Sequence, residues 1–239
     1  MKPGLVIHAA ALAKPDVCEK DPERAEAVNV GGTEALAGAA AQGGARFLFF
    51  STDQVHDGRA APYPDGAPAG PLSAYGRQKR RAEAVVLAAG GDPIVLRLAL
   101  CYGWAPAGAS PNFCDDLKAA LSAGRQVRVF IDQRRSLLYV ADAAELVARL
   151  VAKAGLPEAG RAFNLAGPEP VTRHDFAAAF CDAFGFDTGL LVPVRASETA
   201  MAAPRPLDCS LDGARLWTWL GFRPGAVRAG LERMKRQVS

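Results

Sequence analysis

Arg46-Phe47-Leu48-Phe49-Phe50 is the apolar run around which the fold of this chain is organised, and Ser51-Thr52-Asp53 follows it directly. Such a run predicts a buried β-strand that ends in a hydroxyl and a carboxylate. Residues 5–10 before it are apolar at both alternating positions, as in a parallel strand covered on both faces, and residues 94–98 after it predict a third strand.

A helix is predicted in each interval between these strands. The first begins at Asp21-Pro22-Glu23, with Asp as the N-cap and Pro in the first turn, and runs to Gly43-Gly44. The second covers residues 73–89 and stops at Gly90-Gly91. The alternation of strand and helix predicts an α/β fold in which a parallel sheet has helices on both faces.

The second half of the chain is less regular. It predicts helices at 111–123, 140–154, from Thr172 onward, 211–220 and 224–235, and extended segments at 126–130 and 162–165. We expect residues 1–105 to form part of a nucleotide-binding domain that carries the main site. Residues 106–239 are expected to form mainly a smaller lobe and to contribute some further strands or helices to the parallel sheet of the first domain.

Composition excludes several classes of protein. The net charge of the 239 residues is +3, with scattered basic residues, so a nucleic-acid partner is not expected. The odd number of cysteines, five, without C-x-x-C spacing predicts free thiols in a reducing compartment, and neither a disulfide framework nor a metal site. Because no run is long and apolar enough to span a membrane, we expect a cytoplasmic protein without a membrane partner.

Tyr75 and Lys79 indicate the chemistry. They lie at i and i+4 of the second predicted helix, so they share one face. An ammonium beside a phenol is expected to lower the pKa of the tyrosine. The phenol is then a general acid for an alkoxide that forms from a ketone. Thr52, at the end of its strand, is placed to hydrogen-bond the same oxygen.

The order of the motifs resembles the extended short-chain dehydrogenase/reductase superfamily, and within it the dTDP-4-dehydrorhamnose reductase branch. The segments that carry the resemblance span the whole chain in order: His8-Ala9-Ala10-Ala11, Asn29-Val30-Gly31-Gly32-Thr33, Ser51-Thr52-Asp53, Ser73-Ala74-Tyr75-Gly76, Asp132-Gln133, Tyr139-Val140-Ala141-Asp142, Asn164-Leu165-Ala166-Gly167 and Arg205-Pro206. The resemblance implies a Rossmann-type sheet with a small C-terminal substrate-binding lobe.

The resemblance also implies roles for particular residues. Thr52, Tyr75 and Lys79 correspond to the catalytic triad. The residues implied for binding NADP or NAD are Ala9, Ala10, Ala11, Asn29, Ser51, Tyr75 and Lys79. The residues implied for the nucleotide-sugar substrate are Asp53, Asn112, Gln133 and Arg205.

Two departures from the family pattern stand out. In the family, a strand, a Gly-rich loop and a helix cradle the pyrophosphate of the cofactor, and this sequence has no counterpart to them. A shortened gene model or a decayed paralogue would have this pattern. We therefore expect weak binding of NAD(P)H. Residues 5–10 would then form an open sheet edge, available for a homodimer or another pairing. Gln54 and His56 replace family aromatics, and His56 is either at the mouth of the site or a solvated loop residue.

The leading functional hypothesis is reduction of a nucleotide-linked 4-keto-6-deoxy sugar by NAD(P)H. An epimerase or dehydratase of the same superfamily is an alternative, although Asp53 is followed by Gln54 and not by the acidic pair that dehydratases carry. A third hypothesis is a non-catalytic binding subunit, because relatives of this branch are regulatory partners of methionine adenosyltransferase.

Overall fold

The computed structural model describes residues 2–153, 155 and 160–237. The helices of these residues are α1 Pro15–Lys20, α2 Pro22–Glu26, α3 Gly32–Gly43, α4 Ala74–Ala88, α5 Phe113–Ser122, α6 Val140–Ala152, α7 Arg173–Phe184, α8 Ala214–Leu220 and α9 Val227–Lys235. The strands are β1 Leu5–His8, β2 Arg46–Thr52, β3 Pro93–Leu98, β4 Cys101–Tyr102, β5 Val127–Phe130, β6 Arg134–Arg135, β7 Leu138–Tyr139, β8 Ala162–Leu165, β9 Val171–Thr172 and β10 Leu191–Val194.

The main sheet confirms the predicted α/β architecture. Its four strands are parallel and lie in the order β1-β2-β3-β8. Side chains alternate between its two faces, as the period of a strand requires. Phe47 and Phe49 pack with residues of α3 and α4, whereas Leu48 packs on the other face with residues of α6 and α8. Helices therefore cover both faces, and β2 is buried between them.

The predicted first helix is interrupted. Asp21 caps α2 by accepting a hydrogen bond from the backbone of Arg24, as expected, but Ala27–Gly31 forms a π-helical turn before α3 begins. A single π turn inside a helix is a local bulge that is frequent at functional sites. Here the bulge contains the buried side chain of Asn29. The sequence pattern did not predict α1.

Much of the second half forms a smaller lobe. Its β5 pairs with β10, and its core joins aromatic and aliphatic residues of α5, α7 and α9. The helix predicted from Thr172 onward is α7, which begins with a capping box formed by Thr172 and Asp175. The domain boundary at residue 105 stays a prediction. Beyond it, α6 and β8 return to the main sheet and do not belong to the smaller lobe. Residue 154, the predicted end of the helix now defined as α6, lies outside the described residues.

The β1 strand forms one edge of the main sheet, and Ile7 on it is 48% exposed. Among the described residues no helix is long and apolar enough to cross a membrane, and no cluster of ligating side chains is suited to a metal ion. All five cysteines have free thiols.

Candidate active site

Three predicted catalytic residues meet at the carboxyl end of β2. Thr52 is the last residue of the strand, and its hydroxyl accepts a hydrogen bond from the backbone N–H of Gln54 at 3.3 Å. Ligands of parallel α/β sheets bind at this end of the strands. The hydroxyl also donates to the carboxylate of Asp53 at 3.1 Å.

Helix α4 presents Tyr75 and Lys79 to the same region. Ser73 caps the helix by accepting a hydrogen bond from the backbone of Gly76 at 3.1 Å. Gly76 is needed for the close approach of the helix to the turn after β2, because a Cβ there would lie 2.4 Å from the carbonyl oxygen of Gln54. Tyr75 is 7% exposed and Lys79 is 3% exposed. The structure therefore brings the triad together, while its catalytic role stays a prediction.

The predicted effect of Lys79 on Tyr75 is wrong. Burial raises the pKa of Tyr75 to about 12, although a hydrogen bond with Thr52 opposes the shift. The ammonium of Lys79 lies over the ring of Phe49, 3.9 Å from its centroid. Burial lowers the pKa of Lys79 itself to about 8, against the charge of Glu83. The phenol is thus protonated at neutral pH, and the lysine is the group that titrates near physiological pH.

Glu83 and Arg97 form a buried ion pair beneath the site that the sequence analysis missed. Both nitrogens of one edge of the guanidinium, Nε and Nη2, donate to the carboxylate at 3.0 Å. The hydroxyl of Ser51 donates to the same carboxylate at 2.6 Å. Glu83 lies four residues after Lys79, so i+4 spacing was the signal that could have identified its proximity to the site.

Asn29 positions the segment after β1. Its side-chain oxygen accepts from the backbone N–H of Leu12 at 2.9 Å, and its amide donates to the carbonyl of Leu12 at 3.1 Å and to Gln78 at 3.0 Å. The π bulge therefore has a structural use, because it points this amide at the chain that carries the predicted alanines. Asn29 acts on that backbone rather than on the cavities themselves.

An apolar groove lies between β1 and α6. It has a volume of about 730 Å³, and its walls include Ile7, Ala9, Ala11, Val140, Val147 and Val151. Lys79, Tyr75 and Ser51 line its polar part. Of the three alanines predicted to contact a cofactor, Ala9 and Ala11 line the groove, whereas Ala10 is not part of its lining.

A second cavity, the arginine pocket, adjoins the groove. It has a volume of about 250 Å³ and is lined by Arg135, Arg173, Arg205, Asp53 and Gln133 together with Thr52 and Tyr75. Sequence reasoning selected Asp53, Gln133 and Arg205 but missed Arg135 and Arg173, which no motif marks. Ser51 and Tyr75 line both cavities, so the phenol stands where the two meet.

Asn112, implied as a substrate residue, and His56, expected at the mouth of the site or in a solvated loop, have other surroundings. Asn112 lines neither cavity; its side chain caps α5 and donates to the carbonyl of Gly103 at 3.0 Å. His56 is fully buried and stacks on Tyr63 with ring centroids 4.0 Å apart. Burial lowers the pKa of His56 to about 4. Both expectations for His56, the mouth of the site and a solvated loop, are therefore wrong.

Comparisons with known proteins cover the whole chain. A family model described as the RmlD substrate binding domain matches residues 1–239. The chain is 31% identical over 216 residues to methionine adenosyltransferase 2 subunit beta of Xenopus laevis, covering 90% of this chain and 64% of that protein. It is 33% identical over 225 residues to the dTDP-4-dehydrorhamnose reductase of Mycobacterium tuberculosis (strain CDC 1551 / Oshkosh), covering 92% of this chain and 72% of that enzyme.

Solved structures with a similar fold include two dTDP-4-dehydrorhamnose reductases. The dTDP-4-dehydrorhamnose reductase of Bacillus anthracis in complex with NADP superposes with a TM-score of 0.88 at 24% identity, which shows the fold; the match covers 99% of this chain and 81% of that one. A dTDP-4-dehydrorhamnose reductase orthologue from Clostridium acetobutylicum gives a TM-score of 0.86 at 26% identity with the same coverage. The chain spans less than two thirds of the length of the methionine adenosyltransferase subunits that it matches.

Proposed function

The chain belongs to the RmlD substrate binding domain family, and from this membership we propose that it reduces the keto group of a nucleotide-linked 4-keto-6-deoxy sugar with a hydride from NAD(P)H. The observation that carries the proposal is the position of Tyr75 at the junction of the apolar groove and the arginine pocket. A carbonyl reductase needs its proton donor between the site of the hydride donor and the site of the ketone.

The apolar groove fits the nicotinamide half of the cofactor. Its apolar walls suit an aromatic ring, and the ammonium of Lys79 makes no hydrogen bond or ion pair within residues 2–153, 155 and 160–237, so it is available to ribose hydroxyls. Ala9, Ala11 and Ser51 line the groove, and Asn29 fixes the backbone beyond the alanines. When bound, the cofactor supplies the hydride.

The pyrophosphate half has a poorer fit. The segment that follows β1 in the described part of the chain is alanine-rich, whereas backbone N–H groups of a Gly-rich turn normally hold this group. Gly31 and Gly32 are helical and offer no such turn. We therefore assign only the nicotinamide and its ribose to residues of this chain.

The proton transfer follows from the pKa values. Because burial holds the pKa of Tyr75 near 12, the phenol carries its proton at neutral pH and donates it to the ketone oxygen as that oxygen gains an electron pair. The Thr52 hydroxyl has one proton, which it donates to Asp53 in the absence of substrate; with substrate it turns this donor to the ketone oxygen and stabilises the developing charge. The phenolate that remains regains a proton from solvent. Asp53, Gln133 and Arg205 are proposed to contact the sugar nucleotide.

The test is turnover of a dTDP-4-keto-6-deoxyhexose, measured as NADPH consumption by wild type, Tyr75→Phe and Tyr102→Phe. Tyr102 is a matched control, because it is also buried but lies in the lobe core, where its hydroxyl donates to the carbonyl of Val227 at 3.3 Å. We expect Tyr75→Phe to lose about 10²–10⁴-fold in rate and Tyr102→Phe to keep its rate. Equal rates for Tyr75→Phe and wild type would refute the catalytic proposal.

A non-catalytic subunit is the second candidate. The observation that favours it is the 31% identity to methionine adenosyltransferase 2 subunit beta over 90% of the chain. The matching experiment is titration of the purified protein into a methionine adenosyltransferase catalytic subunit, followed by sedimentation. Complex formation that Tyr75→Phe leaves unchanged, together with no turnover by the wild type, would favour the subunit over the reductase.

A further inference from the structure

The ammonium of Lys79 is buried and lies over an aromatic ring. The Lys79 side chain is 3% exposed, and its Nζ makes no hydrogen bond or ion pair within the described part of the chain. Nζ lies 3.9 Å from the centroid of the Phe49 ring, which is itself fully buried. A cation at this distance over a ring is attracted by the negative face of the π system. Phe49 therefore faces the charge directly.

The carboxylate one helical turn after Lys79 is already engaged elsewhere. Burial lowers the pKa of Lys79 to about 8, and the charge of Glu83 opposes this shift. The two carboxylate oxygens, however, accept hydrogen bonds from Ser51, from Arg80 and from two guanidinium nitrogens of Arg97. Because the positive charge of Arg97 offsets that of the carboxylate, Glu83 gives the ammonium little net support.

Other titratable groups near Lys79 are neutral around physiological pH. Burial and the charge of Lys79 lower the pKa of His8, whose ring stacks on Phe49 with centroids 5.6 Å apart. Burial raises the pKa of Tyr75 to about 12 and does the same to the thiol of Cys101, which lines the groove with Lys79. None of these groups supplies a negative charge, so the support for the ammonium comes from the ring.

We propose that Phe49 is a positioning residue, whose ring keeps the ammonium of Lys79 charged and in place while leaving its N–H donors free for a ligand in the apolar groove. An ammonium has only N–H donors to offer a ligand, and a carboxylate in the position of the ring would take up at least one of them. The ring supports the charge without being such an acceptor. The inference rests on the proposed function only in assigning the groove to the nicotinamide ribose.

The test is an NMR titration of the Lys79 side chain in the protein without cofactor. Lysine labelled with carbon-13 at Cε is incorporated, the resonance of Lys79 is identified by its loss in Lys79→Arg, and the pKa is read from the change of chemical shift with pH. We expect Phe49→Leu to lower this pKa by about 0.4–1.5 pH units, the equivalent of one cation–π contact. Trifluorophenylalanine in place of Phe49 keeps the shape of the ring but weakens its negative face, so it should lower the pKa in the same direction.

Phe47→Leu is the matched control. Phe47 lies two residues earlier on β2, is also buried in the same cluster and also contacts the ring of His8, yet no cation lies over it among the described residues. This variant should leave the pKa of Lys79 unchanged. An unchanged or higher pKa in both Phe49 variants, or an equal decrease in Phe47→Leu, would overturn the proposal. If Phe49→Leu does not fold, the trifluorinated variant decides alone.

Turnover distinguishes this proposal from the proposed function. In an active enzyme, the pH at which the rate falls should move down in Phe49→Leu by the same amount as the pKa of Lys79 measured by NMR. A wild type without turnover would refute the reductase and leave the NMR titration to decide the role of Phe49. Conversely, an active enzyme in which the pKa of Lys79 does not respond to the ring would refute the role of Phe49 alone.

Discussion

Replacing Glu83 by Gln tests whether the buried ion pair beneath the site holds the fold together. In the native structure one carboxylate oxygen accepts from Ser51 at 2.6 Å and from Nε of Arg97 at 3.0 Å. The other accepts from Nη2 of Arg97 and from Arg80, each at 3.0 Å. A glutamine amide keeps one of these oxygens and turns an NH₂ group towards the remaining donors.

The expected cost follows from burial. Glu83 and Arg97 are both buried, so the substitution leaves the charge of Arg97 without its carboxylate and shielded from bulk solvent. Removing one partner of a buried pair costs about 3–5 kcal/mol. For a chain of this size each kcal/mol lowers Tm by roughly 2–4 °C, so we expect a decrease of about 6–20 °C.

The assay is urea unfolding followed by circular dichroism, with Glu145→Gln as the matched control. Glu145 pairs with Arg149 at 2.6 Å, but both side chains are more than two fifths exposed. Its loss is therefore expected to change the free energy of unfolding by less than about 0.5 kcal/mol. If Glu83→Gln and Glu145→Gln differ by less than about 1 kcal/mol at equal m-values, the buried pair does not stabilise the fold as a charge pair.

The pH dependence gives the same prediction an independent readout. Burial acts to raise the pKa of Glu83, but the hydrogen bonds and charge of Arg97, together with Ser51, hold it below the ordinary value of 4.5. A lowered carboxylate pKa contributes stability that is present above the unfolded value and lost as the pH falls through the folded one. Glu83→Gln should therefore remove part of the loss of stability that wild type shows below about pH 4.5.

Other perturbations report on the site and on the open edge. Because burial lowers the pKa of Lys79 to about 8, the rate of turnover should fall as the pH rises through about 8. Lys79→Arg should move this fall in rate to higher pH, since the guanidinium stays charged. If the rate of the variant still falls near pH 8, another group is responsible for the pH dependence. Thr52→Val should lower the rate about 10²-fold while urea unfolding stays within about 1 kcal/mol of wild type, and an unchanged rate would exclude the hydroxyl from catalysis. Gly76→Ala should cost roughly 1–3 kcal/mol, since its Cβ would lie 2.4 Å from a backbone oxygen, and a neutral effect on urea unfolding would show that α4 can shift. Ile7→Lys on the edge strand should leave unfolding unchanged and reduce self-association in light scattering, whereas equal scattering would exclude this edge as the contact.

Local patterns in the sequence were sufficient for the first three strands of the sheet and for the grouping of Thr52, Tyr75 and Lys79. The strands β1, β2 and β3 are apolar runs, and α2 and α4 between them begin at side-chain caps, Asp21 and Ser73, so neighbouring residues determine these elements. Tyr75 and Lys79 meet because i+4 spacing on a helix places them on one face. Thr52 joins them because the carboxyl ends of parallel strands share one edge of the sheet.

The arginine pocket was not predictable in the same way. Arg135 lies on the short strand β6, Arg173 begins α7 and Arg205 lies in an irregular segment, and only the folded lobe brings them together. No local pattern links positions so far apart in the chain. Asn112 shows the converse, since its local neighbourhood implied a substrate contact whereas the structure uses it as a helix cap. His56, for which the sequence left the mouth of the site and a solvated loop open, lies in the core.

The sequence by itself determined the alternation of strand and helix in the first hundred residues and placed a phenol and an ammonium on one helix face, because these depend on spacing along the chain. Only the tertiary structure decided the protonation of those two groups and the charge of the adjoining pocket. The physical reason is that pKa values and unpaired charges depend on desolvation and on neighbours from distant segments, which exist only once the lobe has packed against the sheet.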